Sequence, residues 1–525
     1  MYQTEVVVIG GGATGAGALR DAALRGFKTL LLERSDFGSG TSGRYHGLLH
    51  SGGRYAVKDP LSARECIAEN IILRRIAAAS IEDTGGLFVT TPDDDPAYAD
   101  RFVAACHDTG IPLTELSIAE MLEREPRLNP AITRAFAVPD ASCEPWALIE
   151  GNIRSAQAYG GDAWPYHQVT AFERENSRIT AVRVRDVRSG EEQSIACDFV
   201  INAAGAWAGQ IGELADVPIR MTAGKGSMIV MNHRVVNTVV NRCHPPGDGD
   251  ILVPVGSVAI IGTTSINVPD PDEYEVEPAE IDSVLREGEL LVPGLATMRS
   301  LRAYAGVRPL YSDEAASPAG RDVTRAFAVL DHKSRDGLDN MISIVGGKLT
   351  TYRLMAEHGV DAMCRSLRVD RSCRTADEPL PGSENGVHYS ITQRLSAIEA
   401  RGGDENSLVC ECEYVTRAQI ERVAEERGTH DLGDIRRELR LGMGPCQGGF
   451  CTYRAAGVLH DLSHLPPEET NEALSRFLEE RWKGIKPVLW GDDLRQIQLD
   501  EEIYVNLLGV QRLNDTIEPA AVDWR

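Results

Sequence analysis

Two sets of residues in this chain have the spacing of electron-handling chemistry, and they lie roughly four hundred residues apart. Near the start, Gly10, Gly12 and Gly15 stand in G-x-G-x-x-G order. Near the end come Cys410-x-Cys412 and Cys446-x4-Cys451. The first glycine makes a tight turn, the second lets backbone approach a pyrophosphate, and the third lets helix pack on strand, while the helix N-terminus offers free N–H groups to phosphate. Glu33, which closes the following apolar run, has the place of the acid that accepts from adenosine ribose hydroxyls. Four thiolates suit an iron-sulfur cluster, and a tetrahedral zinc is the competing reading. A hydride-accepting cofactor and a one-electron centre in one polypeptide imply an enzyme that oxidises a substrate and exports the electrons, a dehydrogenase rather than an oxidase.

The elements that must position the glycines are legible. Glu5 to Ile9 reads as a strand, an alanine-rich helix runs to about Arg25, and Thr29 to Leu32 is a second strand. Two later segments return to the same site. Cys197 to Gly205 runs from a strand into a turn at Ala204-Gly205, and Ile342 to Thr351 runs from a strand through Gly346-Gly347 into Lys348-Leu349-Thr350 and a helix start. Flavoproteins of the glutathione-reductase-like class return to the nucleotide in this way, so the expected cofactor is FAD rather than NAD. Between these segments, about 218–307, the strands Gly226 to Met231, Ile251 to Val255 and Val258 to Thr263 predict an antiparallel sheet roofing the flavin. The expected fold is therefore α/β plus α+β: a glutathione-reductase-like FAD domain with an antiparallel substrate roof, a small helical iron-sulfur domain and a helical tail.

The expected domains are 1–370 for FAD and substrate, a Pro/Gly/Ser-rich linker at 371–406, the cluster domain at 407–460, and a helical region at 461–525 that wraps back onto the flavin domain or offers a docking face. Helices are predicted at Thr416 to Arg427 and Leu432 to Leu441, with the cysteine pairs at either end of the unit, one pair to each iron. The other seven cysteines have no ligand spacing and read as buried thiols.

Asp and Glu total 78 against 54 Lys and Arg, a net charge of -24 that argues against nucleic acid or anionic lipid as main partner. Only seven of the cations are lysines. Acid excess with little lysine fits a protein kept hydrated in high salt, and equally an ordinary acidic surface. No apolar run reaches the ~18 residues of a membrane span, and Met1 to Thr4 leads straight into the first strand. A cytoplasmic protein is expected, its membrane link made through partners.

Four stretches carry a resemblance: Thr41-Ser42-Gly43-Arg44-Tyr45-His46 through His50 to Tyr55, Asn241-Arg242-Cys243, Ala303 to Leu310, and Gly346 to Arg353. They resemble the FAD-dependent glycerol-3-phosphate dehydrogenases over nearly the whole chain, and with the cysteines, which resemble the bacterioferritin-associated-ferredoxin-like [2Fe-2S] domain, the anaerobic-type catalytic subunits. The resemblance implies oxidation of sn-glycerol 3-phosphate to dihydroxyacetone phosphate, with electrons passed through a [2Fe-2S] cluster to partner redox and membrane-anchor subunits and quinone. The protein is then peripheral on the inner face of the cell membrane.

It also implies residue roles. Arg308, Arg325 and Lys348 surround the substrate with Arg54, Tyr55 and Thr351. Gly10, Gly12, Gly15, Glu33, Thr41, Ser42, Ala204, Gly205, Gly346, Gly347, Lys348, Leu349 and Thr350 bind FAD, and Cys410, Cys412, Cys446 and Cys451 bind the cluster. Ser51 departs from the glycine that some relatives carry. A phosphomonoester calls for such cations. Arg308 does not release its proton and is cast as the stabiliser of alkoxide charge, leaving His50 as the better proton acceptor. The alternatives are a dehydrogenase of a 2-hydroxy acid or secondary amine, whose cations serve a carboxylate only, and, from another class, an iron-sulfur carrier whose flavin fold only docks proteins.

Overall fold

The first glycine turn is placed by a six-stranded sheet in the order Asp162–Trp164, Thr29–Leu32, Val6–Ile9, Phe199–Asn202, Met341–Gly346, Phe327–Asp331, parallel except for its last pair. This computed structural model describes residues 2–312, 326–401, 407–463 and 466–509. The central strands are continuous apolar runs because both faces are covered, one by helices that include Ala13–Leu24 and Tyr352–Leu367 and the other by an antiparallel sheet of His167–Glu175, Arg178–Asp186 and Glu192–Ala196; Val6, Val7, Val8, Leu30 and Leu31 are fully buried. Each such side chain stabilises the fold by about 1.5–3 kcal/mol. The helix Ala13–Leu24 is rich in Ala and Gly because it is sandwiched between neighbours, and a Cβ on Gly17 would lie 3.0 Å from the Tyr352 ring of the helix Tyr352–Leu367.

The roof is larger than its sequence suggests. Its strands run Ile266–Asn267, Met221–Met231, Val258–Gly262, Ile251–Val255, Val239–Arg242, Gly86–Thr90, Arg134–Val138 and Thr114–Leu116, with Ser300–Tyr311 paired antiparallel to Met221–Met231. The segments from 86 to 138 join through one parallel pair, Val239–Arg242 beside Gly86–Thr90. On Ser300–Tyr311 the residues Arg302, Tyr304, Gly306 and Arg308 alternate onto one face.

The segment expected as a linker is fastened down. Buried Arg20 donates to the Glu378 carbonyl at 2.6 Å, the Leu380 N–H donates to the Ile76 carbonyl at 2.7 Å, and Ile391–Arg401 is a helix. Pro and Gly stop it joining a sheet, while Leu380, 1 % exposed, anchors it in the flavin core. The cysteine unit folds around its own core, with a short hairpin, Leu408–Cys410 with Val415–Thr416, and helices Arg417–Arg427, Leu432–Leu439 and Cys451–Ser463. The helix Pro467–Trp482 packs on it, and the chain then turns back to the roof, where Ala303 N–H donates to the Gly484 carbonyl at 2.7 Å and Val488 is buried.

Candidate active site

A cavity of about 1480 Å³ opens between the six-stranded sheet and the roof. Its floor is the glycine turn. Gly10 has φ +107° and a Cβ there would meet the Ala203 carbonyl at 2.7 Å, while a Cβ on Gly15 would lie 1.8 Å from the Gly10 carbonyl. No side chain fits at either position. Gly12 lines the cavity, and the Ala13 N–H at the helix start donates to the Ser42 hydroxyl at 3.0 Å. The Glu33 carboxylate accepts from the Gly11 N–H at 2.7 Å and the Ser35 N–H at 2.8 Å; burial raises its pKa. Thr41 donates to the Val307 carbonyl at 2.6 Å, tying this loop to the roof. Gly346 and Gly347 both hold positive φ, and with Ala204 and Gly205 they complete the wall. A floor bare of side chains, beside a helix start and a half-buried carboxylate, fits a dinucleotide.

The other end of the cavity is cationic. Lys348 lies 5.1 Å over the Tyr55 ring, and Tyr55 is 5.4 Å from the His50 ring. Arg54 is ion-paired with buried Asp250 at 2.6 Å; against the upward push of burial, Arg54 and His244 hold that carboxyl down at about 2. Arg308 donates to the Thr264 carbonyl at 3.0 Å, the Lys225 carbonyl at 3.3 Å and the Thr263 hydroxyl, which aims its guanidinium from the roof. Burial, then His46, Arg54 and Lys348, push His50 well below its ordinary value, so its imidazole is neutral at neutral pH.

Thr351 does not reach the cavity wall. It is fully buried, and its hydroxyl donates to the Lys348 carbonyl at 3.1 Å. Its hydroxyl is thus turned to the Lys348 backbone. Gly15 likewise lies behind the wall, and Arg325 lies outside the described residues. His46 is a cavity residue that its sequence context did not single out. Its Nδ1 accepts from the Leu48 N–H at 3.2 Å, its ring is 6.0 Å from His50, and burial, Arg54 and Arg308 push it down to about 3. The signal available was its place four residues before His50 in the same motif.

The cysteines meet in the second unit, in contact across the two motifs and within the second one. The thiols of Cys410 and Cys451 are in hydrogen-bond contact, as are those of Cys412 and Cys446 and of Cys446 and Cys451. Among the described residues no group of three or more His, Cys, Asp or Glu side chains is arranged to hold a metal ion. The four thiols are joined by a chain of contacts, Cys410 to Cys451 to Cys446 to Cys412, and four thiolates gathered in this way could be divided between the two irons of a cluster. Backbone N–H groups of Gly442 and Glu413 point at Cys410, and those of Gly448 and Phe450 at Cys446, whose pKa the Cys412 and Cys451 contacts and these amides hold down.

Residues 5–353 match the FAD dependent oxidoreductase family and residues 408–461 the BFD-like [2Fe-2S] binding domain. The chain is an FAD dependent oxidoreductase carrying a [2Fe-2S] domain. It is 44% identical to a subunit of the anaerobic glycerol-3-phosphate dehydrogenase of Escherichia coli K12, over 97% of both chains, and 43% identical to the corresponding subunit from Haloferax volcanii, over 99% of this chain and 92% of that one. It belongs to the family of these anaerobic glycerol-3-phosphate dehydrogenase subunits. In fold it is similar to the glycerol-3-phosphate dehydrogenase of Bacillus halodurans solved with FAD, with TM-score 0.66, 20% identity, and 93% and 96% of the two chains covered. No helix among the described residues is long and apolar enough to cross a membrane.

Proposed function

We propose that this chain oxidises sn-glycerol 3-phosphate to dihydroxyacetone phosphate. The observation that carries the reading is a half-buried His50 that lines, together with Lys348, Arg54 and Arg308, the cavity whose floor is the glycine turn. Bound FAD supplies the acceptor for the hydride of the carbinol carbon. The rest falls to the protein. Lys348 and Arg54 take the phosphate, whose charge near His50 offsets the cations and raises the imidazole's proton affinity as substrate arrives. His50 then accepts the hydroxyl proton, and Arg308, which keeps its own protons, stabilises the charge developing on that oxygen.

Within this reading residues 1–370 bind FAD and substrate, 371–406 connect, 407–460 hold the [2Fe-2S] cluster through Cys410, Cys412, Cys446 and Cys451, and 461–525 form a helical C-terminal region. The cluster those cysteines would hold would supply a one-electron route from the flavin toward partner subunits and quinone, with the chain held peripherally on the inner face of the membrane by those partners. The test is dye reduction with glycerol 3-phosphate against a 2-hydroxy acid and a secondary amine. Only the phosphate ester is expected to turn over, and Lys348→Ala is expected to raise its KM at least tenfold. Turnover of a carboxylate substrate instead, or an unchanged KM, sinks the assignment.

A further inference from the structure

Three segments distant in sequence each send an arginine into the same buried region between the roof and the cysteine unit. Arg302 comes from the roof strand Ser300–Tyr311, Arg436 from the helix Leu432–Leu439, and Arg481 from the helix Pro467–Trp482. Arg302 is 8 % exposed and Arg481 4 %. Among the described residues the Nε atoms of all three lack a hydrogen-bond partner. The carboxylate they share is Glu480, which is already paired with Lys483. Arg44, on the wall of the flavin cavity, adds a further cation to the same neighbourhood. Guanidinium stays protonated, so this is an excess of fixed positive charge in a low-dielectric region, a costly arrangement unless a counter-charge is supplied.

The counter-charge is next door. Arg481 Nη2 donates to the Gly442 carbonyl at 2.9 Å and to the Gln447 side-chain oxygen. The N–H of Gly442 points at the Cys410 thiol, and Gln447 follows Cys446 directly. One guanidinium thus grips both cysteine loops from behind. Four thiolates around two irons and two sulfides leave a net negative charge, and reduction adds one more. Fixed cations in a region of low effective dielectric stabilise the reduced form more than the oxidised one. Burial, then repulsion from Arg437 and Arg302, pushes Arg436 down to about 9, and burial, then Arg302 and Arg436, pushes Arg481 downward.

We infer that Arg302, Arg436 and Arg481 are positioning residues that raise the reduction potential of the [2Fe-2S] cluster and so draw electrons from the flavin toward it. The inference rests on the proposed function's reading of the four cysteines as cluster ligands. The experiment is a redox titration of the purified flavin- and cluster-loaded protein, the cluster followed by electron paramagnetic resonance, for the wild type, Arg481→Gln, Arg436→Gln and Arg481→Lys. Each glutamine variant is expected to lower the equilibrium constant for one-electron reduction of the cluster about tenfold, ~59 mV in midpoint, with an unchanged signal shape. Arg481→Lys, which keeps the charge, is expected to stay near the wild type. If Arg481→Gln does not fold, Arg436→Gln carries the test, because Arg436 sits on its helix, outside both cysteine loops. Midpoints that do not fall in the loaded glutamine variants, or that fall as far in Arg481→Lys, overturn the inference. A protein that binds zinc and shows no cluster signal overturns the reading beneath it instead.

Discussion

The flavin cradle and the seam that holds the cysteine unit against it are built from opposite materials. The cradle is made by leaving side chains out: Gly10, Gly15, Gly346 and Gly347 sit where any Cβ would strike backbone or a packed side chain within 3 Å. The seam is made by burying charge. Arg440, 6 % exposed, bridges Glu413 of the cysteine unit at 2.8 Å and Glu144 of the flavin half at 2.5 Å; Arg427 and Arg437 both close on Asp36, and Ser257 at the tip of a roof hairpin donates to Glu413 at 2.7 Å. A shape cradle tolerates no substitution and responds little to solvent, whereas a charged seam is specific in registry and sensitive to the loss of one partner.

Breaking the cradle is expected to give the largest effect. In Gly15→Ala the new methyl overlaps the Gly10 carbonyl, so the protein is expected to purify without flavin, read as loss of the visible flavin bands. Retained flavin would mean that the helix can shift on its strand. Next comes Cys446→Ser, which is expected to abolish the cluster signal and quinone reduction while leaving flavin bleaching by substrate intact in rapid mixing; loss of bleaching in flavin-loaded protein would tie the two halves more closely than their contrasting construction implies. At the seam, Arg440→Ala takes their close cation from Glu413 and Glu144 and leaves Glu413 only Arg394 at 3.9 Å, a cost of about 3–5 kcal/mol. It is expected to appear as faster proteolytic release of the cysteine unit, and an unaltered digestion rate would show that the apolar contacts alone hold it.

The smallest effect is graded in pH. His46 and His50 are half-buried and held neutral, with folded pKa values below the unfolded value, His46 at about 3. Between about 6.5 and the folded values the unfolded chain binds more protons, so stability is full above that window and is lost as pH falls through it. The slope is about 1.4 kcal/mol per pH unit for each histidine. Melting curves from pH 7 to 5 are expected to show it, and His46→Asn to flatten it by roughly half.

How much of this was legible follows from the same contrast. The cradle is local in sequence: strand, glycine turn, helix and strand lie within Val6 to Leu32, and Gly346-Gly347 announces its own positive φ. The cysteine unit is nearly as local, and its helices begin and end within two residues of where the pattern places them. The seam and the roof's outer half were illegible because their partners are distant. Nothing near Arg440 names Glu144, and nothing near Gly86 announces a parallel partner at Val239. Thr351 was misjudged for the opposite reason, since a motif fixes where a residue stands but not which way its hydroxyl turns.

The roof strand Ser300–Tyr311 carries Arg302 at the cysteine unit's edge and Arg308 in the flavin cavity, on one face and in one unbroken register from Arg302 onward. At ~3.3 Å per residue the two lie ~20 Å apart along the strand. The strand is thus a ruler. The separation between the cavity arginine and the arginine at the cysteine unit's edge is fixed by covalent backbone inside a sheet, and breathing of the seam leaves that spacing unchanged.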